Sequence, residues 1–387
     1  MSLNSPLAWS LIMAALTSPS LCAHFADLPD PRIDRTRRHH LLDIIFITLC
    51  AVLCGANDLV AIEKFGRTKR RWLAKYLELP HGIPVHDTFG RVLAALDPEA
   101  FVECFVSWVQ ALAQTTKGQF IGIDGKTARA TLDQAKGQGP LHVVSAWACH
   151  NRLVLGQVAV EEKSNEITAI PKLLAMLDLA GAIVTIDAMG CQKDIAAKIR
   201  AGGADYVLTV KANQETLEQD IRAVFDRLDE GTRSRSCLSV FQTKEAGHGR
   251  EDYRRYEALP LPRRFAHKEV WQDLRSICRV IRVYKEGDKD LSEVRYFISS
   301  LPPVATELAA AIRGHWGIEN GLHWVLDMYF GEDRSRARLG HVAENLALLR
   351  RWVVSLLRQD TTLQGSIEKK RLQAGWDEDN LERLLGL

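Results

Sequence analysis

Over residues 1–112 the apolar positions recur at helical spacing, and four helices are predicted at 41–55, 58–78, 87–96 and 98–113. Breakers separate them at Gly55-Ala56-Asn57 and at Pro80-His81-Gly82-Ile83-Pro84. Asp97-Pro98 opens the fourth, with proline at the first helical position, where its missing N–H is not needed. Leu7 to Leu16 is also apolar and reads as a first buried helix. No Lys or Arg precedes it, so the positive region of a secretory signal is missing.

The period then changes. Phe120-Ile121-Gly122-Ile123-Asp124 is a short apolar run closed by Gly125. Two strands follow, over 142–148 and 153–160, joined by a turn at His150-Asn151. Helical spacing over 168–179 leads to a buried strand at 182–187, a helix at 194–201 and a strand at 206–210 that ends at Lys211. This order predicts a mixed α/β sheet with a parallel central pair. Strands return at 238–244, 252–258, 276–284 and 293–300, in a stretch rich in Lys and Arg, before helices at 306–330 and 342–357. The expected plan is a helical N-terminal domain over 1–112 and an α/β domain over 113–360. A β-rich insertion at about 225–300 interrupts that domain, and 361–387 forms a C-terminal tail.

Composition narrows the class without choosing a function. The chain of 387 residues is 47% hydrophobic and 25% charged, which suits a soluble globular protein and excludes a disordered one. Leu41 to Ala56 is interrupted by Asp43 and falls short of the ~18 to 20 apolar residues that span a bilayer. Eight cysteines are scattered singly with no C-x-x-C pair, as expected of reduced thiols in a cytoplasm. The net charge of +2 does not announce a nucleic-acid binder. Local clusters do more: Arg32, Arg35, Arg37 and Arg38 with His39 and His40, then Lys64, Arg67, Lys69, Arg70 and Arg71. Each reads either as a solvated helix end or as a DNA contact, and nearby acidic residues offset both.

The candidate chemistry lies in carboxylates. Asp124 and Asp187 each end a run of strand-forming apolar residues, and such strands are normally buried on both faces of a sheet. Taken singly, an aspartate there is an ordinary turn or helix cap. If the two strands are parallel neighbours, both carboxylates meet at one sheet edge, where they repel unless a divalent cation lies between them. Oxygen ligands of this kind suit Mg²⁺ or Mn²⁺.

A third acid, Glu319, lies in the helical segment Arg313 to Asp327, one turn from both His315 and His323. Gly314, Gly317 and Gly321 form another stripe. Each interior glycine costs a helix about 1 kcal/mol relative to Ala, so three of them point to close approach of a sheet or backbone. The bland reading is an interrupted packing helix. A zinc reading of His315, Glu319 and His323 lacks the H-E-x-x-H pattern and a fourth ligand.

Several further motifs occur in order. They include Phe25-x-x-Leu-Pro-Asp-Pro-Arg32, Ile123-Asp-Gly-Lys126, Thr185-Ile-Asp-Ala-Met189, Val210-Lys-Ala-Asn-Gln214 and His315-Trp-Gly-Ile-Glu-Asn320. With these marks the chain, from about His24 to Leu357, resembles the H-repeat-associated (ISAs-type) insertion-sequence transposases of the DDE class. The resemblance implies a ribonuclease H-like fold, an α/β mixed sheet with the β-rich insertion before its last catalytic helix. It implies that Asp124, Asp187 and Glu319 are the catalytic triad and hold two Mg²⁺ or Mn²⁺ ions. Related transposases carry Tyr-x-x-Arg-x-x-x-Glu around the last acid and Lys seven residues on. Here Ile312, His315, Glu319 and Leu326 stand at those places.

The function implied is metal-dependent DNA cleavage at the ends of an insertion sequence, followed by strand transfer into target DNA. The alternatives are a nuclease that never joins strands and a decayed copy that only binds DNA. Expected DNA contacts are Lys126 and Arg129 after the first acid and Lys211, Asn213 and Gln214 after the third strand. His315, Asn320 and His323 surround the last acid, and Arg334, Arg336 and Arg338 form a further phosphate track. Trp316 and Trp324 read as core packing or as stacking platforms for an unpaired base. Expected partners are double-stranded DNA, both the element's terminal inverted repeats and the target, and a second copy of the chain when ends are paired. The expected setting is the bacterial cytoplasm at the nucleoid.

Overall fold

The structure is a computed structural model and is described for residues 21–112, 118–160, 165–231, 236–247, 250–286 and 289–387. The apolar run at 7–16 lies outside the described residues. Helices α1 (Leu41–Leu53), α2 (Leu59–Thr68), α3 (Arg70–Leu73), α4 (His86–Ala95) and α5 (Pro98–Leu112) come first. Gly55, at φ +106°, ends α1. Asp58 starts α2 by accepting the Ala61 N–H at 2.8 Å. The helix expected over 58–78 is therefore two helices with a break at Lys69.

The α/β part follows as β1 (Phe120–Ala128), β2 (Leu141–Ala148), β3 (Leu153–Ala159), α6 (Glu166–Ala175), β4 (Ile183–Ile186), α7 (Lys193–Ala201), β5 (Asp205–Val210) and α8 (Glu215–Asp229). Four long strands come next: β6 (Ser239–Gly247), β7 (Arg250–Pro260), β8 (Ser276–Glu286) and β9 (Lys289–Ser299). Then come α9 (Ala305–Ile318), a π-helical turn at Glu319–His323, α10 (Trp324–Phe330) and α11 (Val342–Gln359). The segment 361–387, expected as a tail, folds into α12 (Ile367–Trp376) and α13 (Glu378–Leu385). Its amphipathic spacing buries Ile367, Ala374, Leu381 and Leu384 in the same core as the N-terminal helices.

The nine strands among the described residues form one sheet in the order β3-β2-β1-β4-β5-β9-β8-β7-β6. β1, β4 and β5 run parallel, and β2 and β3 flank them as an antiparallel hairpin. This is the ribonuclease H-like α/β arrangement. The β-rich stretch does not form a separate sheet: β9 pairs with β5 and carries β8, β7 and β6 outward. Successive strand residues alternate faces, so Gly122 and Asp124 share one face and Ile123 the other. α9 covers the first face, with Leu308, Ala309 and Ala311 packed against Tyr256, Ala258 and Phe297. α6 covers the second, where a Cβ on Gly156 would lie 3.2 Å from Leu173.

The described N-terminal helices share one core with the α/β part. Phe25 stacks on Trp352 of α11 at 4.5 Å between ring centroids, and Asn345 of α11 donates to the Leu93 and Leu96 carbonyls. No described helix is long and apolar enough to cross a membrane.

Candidate active site

β1 and β4 pair in parallel register through Ile123↔Ile186. The next residue on each strand is the aspartate, so Asp124 and Asp187 leave the sheet side by side at the same edge, with Asp124 on the α9 face. Their environments push them apart. Burial raises Asp124, but a hydrogen bond and charge from His323, with the His315 charge and the Gly125 N–H, outweigh it and hold the carboxyl below its ordinary value. Burial raises Asp187, and the charges of Glu166 and Asp124 push it further up. The Gly190 and Met189 N–H groups offset only part of that. Met189 N donates to Asp187 Oδ1 at 3.0 Å.

The α9 face is set by the glycine stripe. A Cβ on Gly314 would stand 3.3 Å from Phe120, one on Gly317 3.5 Å from Cys149 Sγ, and one on Gly321 3.0 Å from the Trp147 ring. The helix thus lies tightly on β1 and β2, and the α-helix widens to a π turn at Glu319, a feature frequent at functional sites. His315 Nδ1 shares a hydrogen bond with Thr185 Oγ1 at 3.1 Å. His323 Nδ1 lies 3.4 Å from Asp124 Oδ2, and its Nε2 is buried without a hydrogen-bond partner among the described residues. Glu319 and Asn320 are exposed at the start of the π turn.

A divalent cation suits the donor chemistry of Asp124 and Asp187, two all-oxygen side chains whose mutual repulsion it would relieve. Among the described residues, however, no three His, Cys, Asp or Glu side chains converge closely enough to hold a metal ion. This applies to Glu319 with the aspartates, and equally to the zinc alternative of His315, Glu319 and His323.

Several of the other expected contacts are engaged within the fold. Lys126 is buried, its Nζ 2.7 Å from Asp327 and 3.6 Å from Asp333. Arg129 is exposed, 3.8 Å from Asp333. Asn213 donates to the Ala188 carbonyl at 2.6 Å and Gln214 to that of Cys191 at 2.9 Å, so both amides brace the loop that follows Asp187. Lys211 is exposed at the end of β5. Arg338 donates to the Ala130 carbonyl. Trp324 is half exposed, whereas Trp316 lies under arginine side chains of the β7–β8 region.

The sequence reading missed Glu166, His142 and Thr127. Glu166 Oε1 is 2.7 Å from His142 Nε2, and His142 Nδ1 is 2.7 Å from Thr127 Oγ1. Asn165 caps α6 by accepting the Ile167 N–H at 3.0 Å, so in the sequence Glu166 looks like any first-turn acid.

Comparison with known proteins bears on the whole chain. The family described as "Transposase DDE domain" matches residues 115–356, and the one described as "DDE_Tnp_1-associated" matches 22–109. "Putative transposase YncI" of Escherichia coli O157:H7 is 40% identical over 370 residues, covering 95% of this chain and 94% of its own. "H repeat-associated putative transposase YhhI" of Escherichia coli K12 is 37% identical, covering 94% of this chain and 97% of its own. With the ribonuclease H-like strand order and paired aspartates in place, the chain belongs to the H-repeat-associated transposases of the DDE class.

Proposed function

We propose that the chain cuts DNA at the ends of its own insertion element and joins the freed ends to target DNA, with Asp124, Asp187 and Glu319 as its metal-holding acids. The observation that carries this reading is the parallel register that brings Asp124 and Asp187 together while their carboxyls are driven in opposite directions. Such a pair is poised for a divalent cation. Glu319, exposed at the start of the π turn, would supply the third carboxylate. Bound there, divalent cations would activate the attacking oxygen and stabilise the leaving one.

The residues have distinct tasks. His323 orients the Asp124 carboxylate, and His315 is held by Thr185 on the neighbouring strand. Asn213 and Gln214 hold the loop that carries Asp187. Arg129 and Lys211, both exposed, meet the phosphate backbone. Two copies of the chain bring two element ends together, because joining both ends needs two active sites. The partners are the element's terminal repeats and the target duplex, and the helical N-terminal segment reads the repeats.

The test is cleavage of a labelled duplex carrying the element's end, with and without Mg²⁺. Wild type is expected to nick at the end only with metal and then to yield joined products. Asp187→Ala and Glu319→Ala are expected to bind DNA and lose nicking by at least about a thousandfold. Full activity of either variant removes that residue from the triad. Nicking without joining converts the proposal into a nuclease.

A further inference from the structure

The β7–β8 ledge holds a second cluster of charge, outside the carboxylate site. Arg254 and Arg282 are directly paired across β7 and β8, and both face α9. Arg313 of α9 points at the same place. All three guanidinium groups gather over the Trp316 indole, at 5.6, 5.8 and 5.6 Å from the ring centroid. Among the described residues, two carboxylates form ion pairs with them. Glu245 takes Arg254 at 3.1 Å and Arg313 at 2.8 Å. Asp252 takes Arg254 at 2.5 Å and Arg282 at 2.6 Å. Three cations share these two anions and one aromatic face. Glu293, opposite Arg282 on β9, adds its charge but is itself paired with Arg295 at 2.7 Å, so among the described residues the group is one negative charge short. The π face eases that deficit without cancelling it. An open cavity adjoins the group, lined by Arg254, Arg282, Arg313, Trp316 and the mutually paired Glu293 and Arg295.

The position matters as much as the charge. Ile186 is level with Leu208, Ile298, Ile277 and Leu259 across the sheet. Asp187 is therefore level with Cys278 and Ala258, and Arg282 and Arg254 lie four residues beyond it in the same direction. That is about 13 Å along the strands, on the α9 face that also carries Asp124. The fold thus raises a positively charged wall past the catalytic edge, with Trp316 only three residues before Glu319. A DNA strand running over Asp124 and Asp187 and continuing along the sheet would meet it.

We infer that Arg254, Arg282, Arg313 and Trp316 form a docking site for a phosphodiester of the DNA strand, distinct from the acid site. A phosphodiester carries the single negative charge the cluster lacks, and arginine forks match its paired oxygens. Glu245 and Asp252 keep the guanidinium groups apart and oriented until it arrives. This inference rests on the DNA-processing reading above.

The test is binding of a fluorescent 30-base-pair duplex of arbitrary sequence, measured by anisotropy across a salt series with Ca²⁺ in place of Mg²⁺, so that no cleavage is needed. Arg282→Gln and Arg313→Gln are expected to weaken binding roughly fivefold each and to flatten the salt dependence by about one phosphate contact. Glu245→Gln is expected to tighten binding and steepen the salt dependence, a gain that misfolding cannot produce. Arg383→Gln, on distant α13, is the control and is expected to bind as wild type does. If wild type binds and the Arg282, Arg313 and Glu245 variants match it, the docking site is wrong while the DNA reading stands. If Glu245→Gln weakens binding, the cluster serves the fold alone. If wild type binds no DNA at all, both readings fall together.

Discussion

The Glu166 carboxylate fills the space that a side chain on Gly125 would need: a Cβ built there would collide with Glu166 Oε1 and with His142 Nε2. Gly125 directly follows Asp124, and Glu166 is the leading charge acting on Asp187. A glycine next to one acid therefore makes room for a carboxylate that acts on the other. Gly125→Ala must displace the ends of two side chains rather than backbone, so it is expected to fold at a cost of about 1 to 3 kcal/mol. Cleavage is expected to fall at least tenfold. Glu166→Ala in the Gly125→Ala background should recover part of the stability, because it removes one of the two collisions. Calorimetry and the nicking assay read both effects. A Gly125→Ala protein with full stability and full activity would show that the packed carboxylate has no bearing on the site.

Asp187 gives a metal-dependent prediction. Burial, then the charges of Glu166 and Asp124, raise its carboxyl above the ordinary value. The native chain thus holds that proton more tightly than the unfolded chain does. Its contribution to stability is most favourable below the ordinary carboxylate value and declines as pH rises through the raised one. Asp187→Asn is expected to raise the Tm of metal-free protein at neutral pH and to leave it unchanged near pH 3. Mg²⁺ at a hundredfold excess over its Kd would add about 2.7 kcal/mol to wild type. Asp124→Asn and Asp187→Asn should gain much less. Scanning calorimetry in EDTA and in Mg²⁺ checks this, and an equal gain in all three proteins would put the cation elsewhere.

Asp43 offers a pH dependence far from the acids. It is buried in α1, its Oδ2 has no hydrogen-bond partner among the described residues, and burial pushes its carboxyl up to about 6. The Glu78 charge adds to this, against the His40 charge and the Leu79 N–H. The folded value exceeds the unfolded one, so stability falls between about pH 4 and pH 6 and the penalty is complete above that window. A shift of about two pH units corresponds to roughly 3 kcal/mol. Asp43→Asn is expected to stabilise the protein by up to about that amount at pH 8 and by nothing near pH 3.5. Urea unfolding at the two pH values decides it. An equal effect at both would mean that the side chain's shape, rather than its charge, is what the variant changes.

How far the sequence spoke depends on how local each signal is. The apolar strands ending in Asp124 and Asp187 were legible because buried parallel strands need continuous apolar runs. The glycine stripe at 314, 317 and 321 was legible as close approach, and Phe120, Cys149 and Trp147 are what it approaches. The break at Lys69 was not, since no proline or glycine marks it. Nor was the folding of 361–387, whose short helices are held by distant partners: Arg371 reaches the Val52 carbonyl at 2.7 Å, and Glu382 accepts from Trp72 Nε1 at 2.9 Å. Glu166 and His142 were invisible for the same reason. They meet across 24 positions of sequence, and no local pattern separates an ordinary first-turn acid from one whose charge acts on a buried aspartate.

Lys126 and Arg129 stand three residues apart after Asp124, yet the fold gives them different surroundings. Lys126 is buried, its Nζ 2.7 Å from Asp327 Oδ1. Arg129 is 84% exposed on its side chain and only 3.8 Å from Asp333 at its nearest approach. Removing the lysine leaves Asp327 and Asp333 facing each other without their shared cation. Lys126→Met is therefore expected to lose about 2 to 3 kcal/mol of stability, less than for a fully dry pair because both carboxylates are partly solvated. Asp327→Asn in the same chain should recover part of that loss. Arg129→Gln should change stability by no more than about 0.5 kcal/mol and reduce the salt dependence of DNA binding by about one contact. Urea unfolding and salt-dependent anisotropy of the four proteins separate the roles. A Lys126→Met protein that unfolds as wild type does, yet loses a phosphate contact, would turn the lysine toward DNA and make Asp327 merely its resting partner.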